Sequence, residues 1–206
     1  MFYDDRWQDP SPDEAARLLA DCAALDLPYR LDAATTSVGL HRPDFYPSVE
    51  LVRLADPGWE VSHLELFFLR REGKLHHLNG TAPTIHETNA AGEISITDTN
   101  VLDYLEFFCF FVRGEAGPFL IVHSLSTSHV PFLPDRALAS QLEELICPPF
   151  YSGRDGRDHR GCEATILYGN SLFAARFEVA PSGMVRMGDD EPLVFDLPVH
   201  VDAPIT

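Results

Sequence analysis

Five of the nine histidines (His41, His63, His76, His77 and His86) fall between residues 41 and 86. Around them stand the carboxylates Glu65 and Glu87. Two imidazoles and a carboxylate are ligand types of a divalent-metal site, so His77, His86 and Glu87 are the candidate metal ligands. Their spacing is neither an HxH with a downstream Glu nor an HExxH helix. Adjacent His76 and His77 on a strand must also point to opposite faces, so only one can join a common site. With spacing as the sole support, the plainer expectation is that these histidines are hydrogen-bonded partners of the neighbouring loop.

His63 and Glu65 are two residues apart in a strand-like run and share a face. Such a pair can act as acid and base, the imidazole carrying the proton and the carboxylate orienting it. The candidate catalytic set is therefore His77, His86, Glu87, His63 and Glu65. Val61, Phe67 and Leu69 lie on that face too, and a mixed face of this kind suits a subunit interface more readily than a catalytic pocket.

A second cluster runs through Tyr151-Ser152-Gly153-Arg154-Asp155-Gly156-Arg157-Asp158-His159-Arg160-Gly161. Arg154, Arg157, His159 and Arg160 are candidate anion-binding groups, because guanidinium forks and glycine-freed amides suit phosphate or carboxylate. The interleaved Asp155 and Asp158 offset that charge, and local ion pairing is the competing expectation. Cys147 and Cys162 bracket the segment, which leaves room for a redox clasp. Ser124, Ser126, Thr127 and Ser128 beside His123 and His129 lack the glycines of a nucleophile elbow. Cys109 sits in an apolar run and reads as core.

Composition removes several classes of function. Thirty-two acidic residues face fifteen basic ones, for a net charge of −17. That balance repels the phosphate backbone of nucleic acids and anionic lipid, so neither nucleic acid nor membrane is an expected partner. Lys74 is the single lysine, and it lies in a turn rather than a phosphate loop. No GxGxxG follows an apolar run. The four cysteines form no CxxC pair. The opening Met1-Phe2-Tyr3-Asp4-Asp5 has no signal-like character, and a cytoplasmic location is expected. The sequence identifies no cofactor.

The elements that must position these groups begin with a helix over 12–26. Ser11 is its cap, Pro12 its first residue, and Glu14 the partner in a capping box. Strand patterns follow over 35–40, 49–54, 61–69 and 75–78, with Glu72-Gly73 as a hairpin turn. Residues 79–96 show no period and read as a long loop. A helix over 100–109 is preferred to a strand over 105–112, with 110–112 open. A third helix covers 135–146. Strands over 164–168 and 172–179 flank Gly169-Asn170, and 184–187 and 193–201 flank an acidic stretch. Consecutive hairpins with few crossovers predict one α+β domain of antiparallel sheets packed on about three helices. The functional expectation is a non-catalytic binding or assembly module that self-associates through apolar faces. The alternatives are a small histidine–carboxylate enzyme, with or without metal, and an anion binder using the Arg154–Arg160 segment. The small-molecule ligand stays unspecified.

Overall fold

The computed structural model describes residues 7–25, 27–61, 64–125 and 136–199. Its elements run α1 (Pro12–Ala23), β1 (Ser37–His41), β2 (Glu50–Ala55), β3 (Glu65–Arg71), β4 (Lys74–His77), α2 (Pro83–Thr88), α3 (Val101–Phe111), β5 (Arg113–Gly114), β6 (Gly117–Val122), α4 (Arg136–Glu143), β7 (Phe150–Arg154), β8 (Arg160–Tyr168), β9 (Ser171–Val179) and β10 (Val185–Val194). The fold is α+β. One antiparallel sheet has the order β1-β2-β3-β4; the second has the order β10-β9-β8-β6-β5, with β7 also pairing β8.

The first sheet is covered on both faces. Leu66 and Phe68 of β3 turn to α1, whose Leu18, Leu19 and Cys22 complete a small apolar cluster. Phe67 and Leu69, one residue out of phase, turn the other way into the main core with Tyr104, Phe107 and Phe111 of α3. That core continues into Ile166, Phe177 and Val179 of the second sheet. A strand buried on both faces must be apolar at successive positions, which is why β3 reads as an unbroken hydrophobic run. The Glu72-Gly73 turn has both residues at positive φ, 49° and 74°, the geometry that matches strand twist in a two-residue hairpin.

Several expectations change. Ser11 accepts from the Glu14 amide at 3.3 Å, but the Glu14 carboxylate binds Arg70 at 2.9 Å instead of closing the capping box. The α1 helix stops at Ala23 rather than near 26. The expected loop over 79–96 contains α2 and a wider helical turn over Asn89–Glu93. Pro83 starts α2, and burial of Ile85 and Thr88 holds it there. The α3 helix runs through Phe111, and the strand alternative for 105–112 does not form. The third expected helix, over 135–146, is α4 and ends at Glu143. The acidic Asp189-Asp190-Glu191 does not separate two strands: it lies inside β10, beside an irregularity in the pairing between Met187 and Asp190. As an edge strand exposed from Arg186 to Glu191, β10 needs no alternating pattern to form.

A buried polar chain ties these parts together. Tyr46 Oη donates to Asn89 Oδ1 at 2.8 Å. Asn89 Nδ2 donates to Tyr104 Oη at 2.9 Å, and Tyr104 Oη donates to the Gly183 carbonyl at 2.5 Å. Four chain segments from 46 to 183 are thus joined through satisfied buried groups, as burial of polar atoms demands.

Candidate functional site

Of the histidine–carboxylate candidates, His77 and His86 are built into packing. Strand β4 sends His76 and His77 to opposite faces, and the His77 ring lies 5.0 Å from the Phe68 ring. The His77 carbonyl accepts from Thr84 Oγ1 at 3.2 Å, which seats α2 on the end of β4. His86 packs 5.8 Å from the Phe108 ring, while Glu87, next along α2, is exposed. Among the described residues no three His, Cys, Asp or Glu side chains are placed to hold a metal ion, so His77, His86 and Glu87 are not gathered into a ligand set. His63 lies outside the described residues. Glu65 pairs with Arg53 at 3.3 Å, and Arg53 in turn lies 4.6 Å over the Trp7 ring. Burial pushes the Glu65 carboxyl above the ordinary carboxylate range, and Arg53 only partly offsets it.

The arginine-rich segment is the hairpin between β7 and β8. Asp155 organises its tip: Asp155 Oδ1 accepts from the Arg157 and His159 amides, both at 2.8 Å. His159 Nδ1 also stands 3.5 Å from Asp155 Oδ2. The tip amides are therefore occupied internally, and the Arg157 side chain is exposed. Arg154 and Arg160 behave differently. They oppose each other across the hairpin and meet a carboxylate that lies far away in the sequence, Asp98, in the turn before α3. Asp98 Oδ1 accepts from Arg154 Nε at 2.8 Å and from Arg160 Nε at 3.1 Å. Arg154 Nη2 lies 2.6 Å from the same oxygen, while Arg154 Nη1 is 2.7 Å from Asp158. The Arg154 contact, then that of Arg160, holds the Asp98 carboxyl below the usual range against its desolvation. Arg160 is 5% exposed at its side chain, and its Nη1 is buried with no hydrogen-bond partner among the described residues. Leaving such a donor unmet costs about 1–3 kcal/mol.

A further histidine–carboxylate pair was not anticipated. Glu106 Oε1 on α3 contacts His123 Nε2 at the end of β6. Glu106 is 9% exposed and His123 34%. The signal was present in the sequence: a carboxylate among Leu105, Phe107, Phe108 and Phe110 must find a partner or stay neutral. Ser124 is described, but Ser126, Thr127, Ser128 and His129 lie outside the described residues. The cysteines are free thiols. Burial pushes Cys162 up to about 11 and raises Cys109 further, so neither is a ready nucleophile. Cys162 is buried while Cys147 is exposed.

The second sheet carries a cleft of about 220 Å³ lined by Ala164, Ala174, Ala175, Cys147, Glu163, Arg176, Asp189, Asp190 and Glu191. Its origin is local. On the face of β8 and β9 that carries Glu163 and Arg176, the small Ala174 leaves a low floor, and the irregularity in β10 takes Asp189 out of the ladder. Four carboxylates then face one cation, Arg176, which stands 3.7 Å from Glu163. Apart from Cys147, none of these residues was singled out from the sequence as part of a site, because a small side chain at the centre of a strand becomes a depression only once the register is known.

No helix among the described residues is long and apolar enough to cross a membrane. No protein-family model matches the chain, and neither the curated proteins nor the solved structures include a match to it.

Proposed function

We propose that the chain is a non-catalytic binding module whose cleft on β8, β9 and β10 takes an amine or guanidinium group. The observation that carries this reading is the lining of that cleft: Glu163, Asp189, Asp190 and Glu191 against Arg176 alone. A primary amine donates three hydrogen bonds and a guanidinium five, so either can be shared among several carboxylates. Net charge of −17 adds long-range attraction for a cationic ligand and keeps nucleic acid and anionic lipid off the list of partners. Titration calorimetry with spermidine and with an arginine-rich peptide at low salt tests it. Binding that weakens as salt rises, and falls at least about tenfold in a D190N/E191Q variant, supports the reading. Failure of both probes to bind the folded wild type overturns it.

Self-association belongs to the same proposal. Met184, Met187 and Phe195 are exposed near the free edge of the second sheet. Direct pairing of two β10 strands is opposed, because it would set Asp189, Asp190 and Glu191 against their own copies and place Pro192 in the ladder. Association through the flanking methionines and Phe195 avoids both. Sedimentation of wild type beside a Met187→Glu variant decides this part.

A second reading, histidine–carboxylate chemistry, rests on the Glu106–His123 contact rather than on His77, His86 and Glu87. Glu106 orients the imidazole through Nε2, leaving Nδ1 as the basic atom. Turnover of an ester and amide panel that disappears in a folded His123→Ala variant supports it, and a panel with no turnover by wild type removes it.

A further inference from the structure

Arg154, Arg160 and Asp98 have the geometry of an occupied anion site in which the occupant belongs to the chain. The two arginines are brought to one face of the β7–β8 hairpin by direct cross-strand opposition. A single carboxylate oxygen receives both side chains. Guanidinium forks match acceptors that offer two oxygens, yet Arg160 engages Asp98 through Nε alone, and its Nη1 is buried with no partner among the described residues. The guanidinium therefore holds more donor capacity than the carboxylate uses. Asp98 itself is 43% exposed and comes from a separate element, so its place can be reached from solvent.

We infer that this clasp is a binding site for a small oxyanion, phosphate or a carboxylate, and that Asp98 is an internal stand-in that competes with the ligand. An incoming phosphate displaces the Asp98 carboxylate and accepts from Arg154 Nε and Nη2 and from Arg160 Nε. Its additional oxygens supply acceptors that one carboxylate oxygen cannot. The Asp98 contacts come from Arg154 and Arg160, while the amides of Arg157 and His159 at the hairpin tip are held by Asp155. This inference is independent of the cationic-ligand cleft. Arg160 and Glu163, three residues apart on a regular strand, face opposite sides of the sheet.

Because the stand-in is tethered, its effective concentration is high and wild-type affinity for free anions is low. Removing it reverses that. Inorganic phosphate is titrated by thermal shift and calorimetry into wild type, Asp98→Ala, Asp98→Asn and the double variant D98A/R154Q, with chloride at equal ionic strength as the control. The expected result is an apparent phosphate affinity at least about tenfold tighter in Asp98→Ala than in wild type, lost again in D98A/R154Q. Citrate in place of phosphate separates carboxylate from phosphate ligands. Should Asp98→Ala not fold, Asp98→Asn keeps the side-chain shape without the charge and is expected to show the same gain. A phosphate response no larger in the folded Asp98 variant than in wild type, or one reproduced by chloride or retained in D98A/R154Q, overturns the inference.

Discussion

Two glycines with nearly the same backbone conformation provide a controlled test of how the two sheets are joined. Gly73, in the β3–β4 turn, has φ +74°, and a Cβ added there would meet nothing within 4 Å. Gly183, in the β9–β10 turn, has φ +77°, but a Cβ there would lie 2.6 Å from both Ile94 Cδ1 and Tyr104 Oη, and would also press on Asn89 Nδ2. Alanine at Gly73 therefore reports the left-handed backbone alone, about 1–2 kcal/mol. Alanine at Gly183 adds crowding, about 1–3 kcal/mol. Relief of that crowding must move Tyr104 or Asn89, whose bonds to each other and to the Gly183 carbonyl are buried. Unmet buried groups there contribute about 1–3 kcal/mol more.

The expectation is that G183A loses about 3–8 kcal/mol and G73A about 1–2 kcal/mol, read from urea midpoints at unchanged slope. Tyr104→Phe removes the hydroxyl that the new methyl would strike, so G183A should cost less in that background than alone. A double-mutant cycle measures this coupling directly. If G183A and G73A destabilise equally, the Tyr46–Asn89–Tyr104 chain yields freely to the turn and does not clamp the halves of the molecule.

The remaining predictions concern carboxylates. Burial raises the folded pKa of Glu65, so between the ordinary carboxylate pKa and that raised value the folded state binds more protons than the unfolded one. Stability should then fall as pH rises through this window. Glu65→Gln should flatten that slope and be mildly stabilising at neutral pH, by less than about 1 kcal/mol because the side chain is partly exposed; unfolding curves across pH check it. Glu106→Ala leaves His123 without its buried partner and should cost about 1–3 kcal/mol. Glu106→Gln, which keeps a hydrogen-bonding group of the same size, should cost less, and equal losses in chemical denaturation would show that the carboxylate itself is required and that an uncharged group of its shape does not replace it.

What was legible in the sequence follows from where each pattern is enforced. The Ser11-Pro12 start of α1 is local chemistry, and it appears as read. The Phe107–Val112 run was ambiguous because buried helices and buried strands are both apolar throughout. Packing resolves it: Phe107 lies 5.3 Å from Phe45 and Phe111 5.0 Å from Phe67, contacts from one helical face to two separate segments. Helix α2 was illegible because Ala82, at its cap, makes no side-chain hydrogen bond and only Ile85 and Thr88 are buried in six residues. Strand β10 was read as two pieces because an exposed edge tolerates Asp189, Asp190 and Pro192, which a central strand excludes.

The candidate sites divide along the same line. Pairing within the hairpin tip could be read from Asp155 and Asp158 beside their arginines, since partners four or fewer residues apart are set by local geometry. Asp98 is 56 residues from Arg154, Glu106 is 17 from His123, and the carboxylates of the cleft come from β8 and β10. Helix α3 makes the first two of these converge. Its preceding turn presents Asp98 to the β7–β8 hairpin, its first turn presents Tyr104 to Asn89 and Gly183, and its middle presents Glu106 to β6. A helix whose sides are committed to Phe45, Phe67 and the second sheet has few rotations open to it. The polar groups that α3 and its preceding turn carry therefore arrive at fixed places because the aromatic ones are packed. That is the physical reason the Asp98–arginine cluster and the Glu106–His123 contact can both be anchored from one apolar element without any local motif announcing either.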